Sequence, residues 1–315
     1  MKRKKIIILG GGQTAAYAAK EIRSIDITSD LTIISDEKFL PYERPPLSKD
    51  YILDKVNFDN LLFFPKIFYE ENKINFIGNT QIKKVDFINK KISDSNKDFY
   101  YDKLLIATGS SNRYLIISGK KILPTNNIIY LRNFEESHYL KNRIEKAKNI
   151  SIIGGGFIGL EIASSASQKG KKITILEKGS QLMGRVVPSE IAKLIQKKHE
   201  DVGTKIHLNV NIDSIKKNKD LLHIYHSNNE ELKSDLIIIG VGSEPNTKIF
   251  ENTSLKIDNG VITNEFCETS IEDVYSAGDV SNFYHPFYNL YMRLESYKHA
   301  QNHGINAGKN LIGNK

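Results

Sequence analysis

Sulfur and indole are scarce in this chain of 315 residues, which has one cysteine, three methionines and no tryptophan. A single thiol, Cys267, can form neither an internal disulfide nor a Cys-x-x-Cys relay, so disulfide frameworks and disulfide-relay chemistry are excluded, and Cys267 reads as a packed residue. No low-complexity segment or long flexible linker interrupts the chain. No apolar run approaches the roughly 18–20 residues that span a bilayer. The basic start, Met1-Lys2-Arg3-Lys4-Lys5, leads into an apolar stretch that ends at Gly10, too short for a signal-peptide core. The expected compartment is therefore the cytoplasm, with no membrane partner. The eight histidines are scattered, and His199/His207 and His223/His226 lack the carboxylate or cysteine partners of a metal site, so no metal is expected. No basic run alternates with aromatics as a nucleic-acid surface would.

What remains is an ordinary globular composition, 40% hydrophobic and 26% charged, in a chain long enough for two domains. The formal net charge of +8 either steers an acidic protein partner or reflects a bias toward solvated lysines.

Two glycine fingerprints carry most of the information. Gly10-Gly11-Gly12-Gln13-Thr14-Ala15 and Gly154-Gly155-Gly156-Phe157-Ile158-Gly159 each follow a short apolar run and open an Ala/Ile-rich helical stretch. In that context glycines let the backbone approach a dinucleotide pyrophosphate, and the helix N-terminus supplies unpaired N–H donors. A strand over 31–35 ends at Asp36-Glu37, and one over 172–176 ends at Glu177. An acidic side chain about 20 residues beyond the glycines accepts hydrogen bonds from an adenosine ribose. At Glu177 it repels a 2′-phosphate and favours NADH over NADPH, although Lys178 and Arg185 stand nearby in sequence.

A second repeated element follows each fingerprint: Asp102-Lys103-Leu104-Leu105-Ile106-Ala107-Thr108-Gly109 matches Asp235-Leu236-Ile237-Ile238-Ile239-Gly240-Val241-Gly242. Apolar runs ending in glycine read as buried strands arriving at a cofactor edge. Residues 75–87 and 205–215 read as strands that form meander or crossover pieces, and 188–201 as a helix with Ile191, Leu194 and Ile195 on one face. The expected fold is α/β, with two Rossmann-like (three-layer ββα) dinucleotide-binding domains. One, spanning 114–245, is inserted into the other, spanning 1–113 and 246–315.

One further segment stands out, Pro41-Tyr42-Glu43-Arg44-Pro45-Pro46-Leu47-Ser48-Lys49. Its two prolines stiffen the approach to a short helix, with Ser48 and Lys49 near the helix start. Together with Ala107-Thr108-Gly109, Tyr130-Leu131-Arg132, Gly242-Ser243-Glu244-Pro245-Asn246, Tyr275-Ser276-Ala277-Gly278-Asp279 and Arg293-Leu294-Glu295-Ser296-Tyr297, this segment resembles the bacterial FAD-dependent ferredoxin–NAD(+) reductases. These include the putidaredoxin reductase type, the reductase components of aromatic-ring dioxygenases and the rubredoxin reductases, all within the pyridine nucleotide-disulfide oxidoreductase superfamily.

The resemblance implies that Gly10, Gly12 and Ala15 cradle the FAD pyrophosphate, that Asp36 holds its ribose, and that Asp279 binds the ribityl chain. It places Arg44, Thr108, Gly109 and Arg132 at the same cofactor, with Lys49 beside the flavin near N5. NADH falls to Gly154, Gly156, Gly159, Glu177 and Gly242. Glu161 is implied to pair with Lys49 across the domain interface. A desolvated lysine needs such a counter-charge, because removing one partner of a buried pair costs about 3–5 kcal/mol.

The implied reaction passes hydride from NADH to FAD, then single electrons to a small acidic ferredoxin or rubredoxin-like iron–sulfur protein. Two alternatives remain: reduction of a diffusible acceptor such as a quinone or ascorbate radical, and an NADH-responsive binding flavoprotein with little turnover. The sequence departs from the family pattern in two ways: Tyr297 stands where tryptophan is usual, and the usual C-terminal third domain is expected to be absent.

Overall fold

The computed structural model describes residues 3–184, 186–219, 221–227 and 230–313. Two compact units emerge, one of Met1–Glu43, Asp59–Ser111 and Glu244–Lys315, the other of Arg44–Phe58 and Asn112–Ser243. The expected domains, 1–113 with 246–315 and 114–245, count 44–58 with the flanking residues. In the structure this segment packs with the second unit.

The first unit is built on a parallel sheet of five strands in the order Val274–Ser276, Lys103–Ile106, Lys5–Leu9, Asp30–Ile34 and Ile74–Ile77. Strands such as Lys-Ile-Ile-Ile-Leu are apolar beyond their exposed first residue because both faces of a parallel sheet are covered. Alternate side chains sort accordingly. Ile6 and Ile8 join the helical side with Ala15, Ala18, Ile22 and Leu311. Ile7 and Leu9 join the other side with Val85, Ile92 and Phe250. That second side is roofed by an antiparallel meander of Lys84–Asp86, Lys91–Ser93 and Asp98–Tyr100.

The second unit repeats the plan. Its parallel sheet runs Ile128–Tyr130, Leu236–Ile239, Asn149–Ile153, Lys172–Leu176 and Lys205–His207. Its meander is Ile212–Asn218, Leu221–His226 and Glu230–Ser234. In both sheets the strand entering the glycine turn is central, paired on one side with the next strand of the chain and on the other with a much later one, Lys103–Ile106 or Leu236–Ile239. That is a topological switch point, where α/β sheets place ligands beyond the strand C-termini.

The segments read as meander or crossover strands over 75–87 and 205–215 are each two strands in different sheets. Asn79 (φ +51°) and Asn209 (φ +59°) adopt the left-handed conformation and turn the chain out of the parallel sheet into the meander. These turns also fix the register of the repeat. Asn79 N–H donates to the Glu37 carbonyl and Asn209 N–H to that of Gly179. Ser35, not Asp36, is therefore the counterpart of Glu177. The helix expected over 188–201 spans Ser189–Asp201, but Ile191 and Leu194 on it are exposed and Ala192 is its buried residue.

Candidate functional site: two glycine turns and a lysine–glutamate pair

In the first unit Gly10 has φ +123°, and a Cβ there would lie 2.1 Å from the Ala107 carbonyl oxygen, so only glycine fits. Gly12 caps the helix Gln13–Ile25 without any side-chain hydrogen bond, and the first turn carries no acidic residue. Space beside Gly12 is open for 4 Å. Behind the turn, Ala15 is fully buried and Thr14 donates its hydroxyl to the Ala300 carbonyl at 3.1 Å. The helix Tyr297–Leu311 approaches closely because Gly304 and Gly308 face it: a Cβ at Gly304 would meet the Thr14 carbonyl at 2.5 Å. That Gly-x-x-x-Gly spacing is the sequence signal for this contact.

Thr108 and Gly109 are locked to Asn246 by three bonds: its side-chain amide to the Thr108 carbonyl (2.7 Å), the Thr108 hydroxyl to its carbonyl (3.1 Å) and its N–H to the Gly109 carbonyl (3.0 Å). Asp279 accepts from the Ser110 hydroxyl at 3.1 Å, so Ser110 joins the expected set. Gly278, before it, donates its N–H to Nδ1 of His303 at 3.1 Å. Burial holds His303 neutral, with its pKa pushed down to about 3. Asp36 is exposed, next to Ser35, whose hydroxyl packs on Gly11. Tyr297 donates to Glu43 at 2.9 Å, and desolvation together with that carboxylate raises its phenol to about 12.

The second unit's turn has the same construction. A Cβ at Gly154 (φ +108°) would sit 2.3 Å from the Gly240 carbonyl oxygen, and one at Gly159 would sit 2.3 Å from that of Gly154. Gly156 caps Phe157–Gln168 with no side-chain hydrogen bond and, like Gly242 (φ +110°), has open space beside it. Glu177 accepts from the N–H groups of Gly155 and Gly179, both at 2.6 Å. Arg185 lies outside the described residues.

The proline-rich segment forms a 3-10 turn, Pro45–Ser48, with its prolines in the first positions. Lys49, next in the chain, places its ammonium 2.9 Å from Oε1 of Glu161. Both residues belong to the second unit. Their side chains are 44% and 26% exposed, so the pair is solvent-screened and contributes only about 0–1 kcal/mol to folding. The larger penalty expected for a buried pair does not apply here. Arg44 donates to the Arg132 carbonyl at 2.6 Å, bringing the two guanidinium-bearing residues together.

Three serines escaped the sequence reading because serine carries no periodic signal: Ser137, Ser165 and, in its actual role, Ser48. His223 has the carboxylate partner that the sequence did not reveal. Strand pairing brings Glu231 within 2.7 Å of its Nδ1, and Tyr225 donates to the same oxygen at 2.7 Å. Among the described residues no three His, Cys, Asp or Glu side chains are grouped to hold a metal ion. Cys267 is fully buried, and its thiol is raised to about 12 by desolvation. No helix is long and apolar enough to cross a membrane, among the described residues.

The profile of the family described as Pyridine nucleotide-disulphide oxidoreductase matches residues 4–304. The chain is 31% identical over 310 residues to the rubredoxin-NAD(+) reductase of Ectopseudomonas oleovorans, covering 98% of this chain and 80% of that protein. It is 30% identical to the 3-phenylpropionate/cinnamic acid dioxygenase ferredoxin–NAD(+) reductase component of Photorhabdus laumondii subsp. laumondii, over 99% of this chain and 79% of that one. The ferredoxin reductase for the CYP199A2 system of Rhodopseudomonas palustris superposes with a TM-score of 0.92 at 30% identity, covering 99% of this chain and 76% of the other. Putidaredoxin reductase, in its covalent complex with putidaredoxin, gives 0.94 at 25% identity, again over 99% and 76%. With its two glycine turns at matching switch points, the chain belongs to the pyridine nucleotide-disulphide oxidoreductase family and is an oxidoreductase similar to the ferredoxin– and rubredoxin–NAD(+) reductases.

Proposed function

We propose that this protein takes hydride from NADH onto FAD and delivers electrons one at a time to a small acidic iron–sulfur protein of the ferredoxin or rubredoxin type. The observation that carries this reading is the pair of helices capped by glycine alone. Asn133 and Ser296 cap Phe134–Lys146 and Tyr297–Leu311 with side-chain acceptors. Gly12 and Gly156 offer none, which leaves first-turn N–H groups for an anionic ligand. The geometry beside both glycines fits a pyrophosphate, because a Cβ there would project into open space.

Gly10, Gly12 and Ala15 form the FAD pyrophosphate cradle, Asp36 takes the ribose and Asp279 the ribityl chain, with Thr108, Gly109, Arg44 and Arg132 contributing to the same cofactor. Gly154, Gly156, Gly159, Glu177 and Gly242 hold NADH. Bound FAD supplies the conversion of a two-electron donor into one-electron steps. Lys49, held by Glu161, supplies positive charge to balance the negative charge that hydride transfer creates. The acceptor assignment follows the rubredoxin and putidaredoxin named for the relatives, together with the net charge of +8.

Anaerobic titration of the FAD-reconstituted chain with NADH, then NADPH, tests the reading. Stoichiometric bleaching by NADH is expected. Failure to take up flavin, or flavin that NADH leaves oxidised, would overturn it.

A further inference from the structure

The turn that carries Lys49 is gripped by serine hydroxyls from two helices. Ser137, fully buried on Phe134–Lys146, donates to the Leu47 carbonyl at 2.6 Å. Ser165, buried on Phe157–Gln168, donates to the Ser48 carbonyl at 2.8 Å. The backbone N–H groups of the turns that follow go to the carbonyls of Pro46, Lys49 and Asp50 instead, so the serines supply donors to two acceptors on buried residues. Ser48 in its turn donates its hydroxyl to Oε2 of Glu161 at 2.5 Å, while Oε1 of the same carboxylate meets Lys49. Glu161 and Ser165 are four residues apart and share one helix face. That face therefore holds Ser48 twice, by side chain and by carbonyl, and Lys49 once. All of these residues lie within the second unit.

We propose that Ser48 is a positioning residue for the Lys49–Glu161 pair. With Oε2 occupied by a neutral donor that cannot leave the turn, the carboxylate cannot rotate, and Oε1 stays directed at the lysine. Ser165 fixes the peptide between Ser48 and Lys49, so the ammonium is delivered from a fixed backbone rather than from a freely moving loop. A half-exposed lysine on a long stem would otherwise sample many rotamers. This inference rests on the proposed part of Lys49 and Glu161 in hydride transfer.

The test uses competitive acetylation of lysines in the purified full-length chain, read peptide by peptide by mass spectrometry. An ammonium held by a carboxylate reacts slowly. Ser48→Ala is expected to raise Lys49 labelling at least about threefold, toward the level of Glu161→Gln, as loss of a hydrogen bond to a charged group implies. Lys169, ion-paired elsewhere on the same helix region, serves as the internal control and should not change. Ser165→Ala should move Lys49 in the same direction. Wild-type labelling in Ser48→Ala alongside a raised rate in Glu161→Gln would overturn the proposal. So would a Glu161→Gln rate that matches wild type.

The second readout is stopped-flow reduction of the FAD-loaded chain. Ser48→Ala should lower the limiting rate while leaving the half-saturating NADH concentration unchanged, and it should add nothing in a Glu161→Gln background. Equal loss in both backgrounds would show that Ser48 does not act through Glu161. If the unaltered chain takes up no FAD or is not reduced, the proposed function fails, whereas the labelling result stands or falls by itself.

Discussion

The Glu177 carboxylate accepts a hydrogen bond from the backbone N–H of Gly155 at 2.6 Å, while its other oxygen accepts from Gly179 at 2.6 Å. The glycine turn and the loop after the second strand are thus tied through one side chain. A carboxylate has roughly four acceptor sites, so two remain for ribose hydroxyls. Glu177→Ala is expected to erode NADH preference and also to destabilise the chain by about 1–3 kcal/mol, since two N–H donors lose a charged acceptor. Glu177→Gln should be nearly as damaging to stability, because its amide NH2 would face one of those donors. Unfolding midpoints and the NADH/NADPH ratio of kcat/KM check this. An unchanged ratio would remove the specificity role and leave only the structural one.

The glycines separate folding from binding. Gly10→Ala and Gly154→Ala put a methyl within 2.1 and 2.3 Å of a carbonyl oxygen and should prevent normal folding. At Gly12 and Gly156 nothing lies within 4 Å, and φ is −92° and −84°. Gly12→Ala should therefore fold with a cost under about 1 kcal/mol yet lose FAD on dilution, and Gly156→Ala should retain FAD and bind NADH poorly. Flavin release and an NADH titration on the folded variants decide the matter. Full flavin retention in Gly12→Ala would refute the pyrophosphate assignment.

His303 couples stability to pH. Its folded pKa is about 3, well below the ordinary 6.5, because burial disfavours the imidazolium. The unfolded chain binds the proton first, so the contribution is complete above pH 6.5 and declines as pH falls toward 3. Between pH 7.5 and 5 the wild type should lose about 2 kcal/mol more than His303→Gln, measured by urea unfolding. Equal losses in the two proteins would show that His303 is protonated at little cost in the fold.

Arg23 binds the loops at the opposite end of its helix. Its guanidinium donates to the carbonyls of Asn72 (2.7 Å), Asp26 (2.9 Å), Ser29 (3.0 Å) and Lys73 (2.9 Å), and to the Ser29 hydroxyl (3.0 Å). Lysine cannot reproduce this planar fork. Arg23→Lys should cost roughly 2–3 kcal/mol by thermal or urea unfolding, with flavin reduction unaffected at low temperature. Wild-type stability would mean that the carbonyls are as well satisfied by water.

The parallel strands and both glycine turns are legible in the sequence because strands buried on two faces read as unbroken apolar runs and only glycine tolerates the turn geometry. The meanders are legible only as strand pieces, not as separate sheets. Lys84–Asp86 and Asp98–Tyr100 are short and half polar, and the left-handed asparagines at 79 and 209 look like ordinary polar strand residues. The lysine–glutamate pair is readable only through the family pattern, since its partners stand far apart in the chain. The serine clamps are not readable even so. Ser137 to Leu47 and Ser165 to Ser48 span 90 and 117 residues, and a hydroxyl leaves no periodic trace.

The assignment of Arg44–Phe58 to the second unit constrains how the molecule is made. These residues leave the ribosome long before their partners on Phe134–Lys146 and Phe157–Gln168. The first unit must in turn wait for its edge strand Val274–Ser276 and the helix Tyr297–Leu311, which follow the whole of the second unit in the chain. Neither unit can therefore close as its own stretch of chain emerges, and both depend on long-range closure, which is slow and exposes apolar strands in the meantime. Neither unit is a single unbroken stretch of chain, so excised pieces cut at 111 or 243 should collapse without reaching a native sheet.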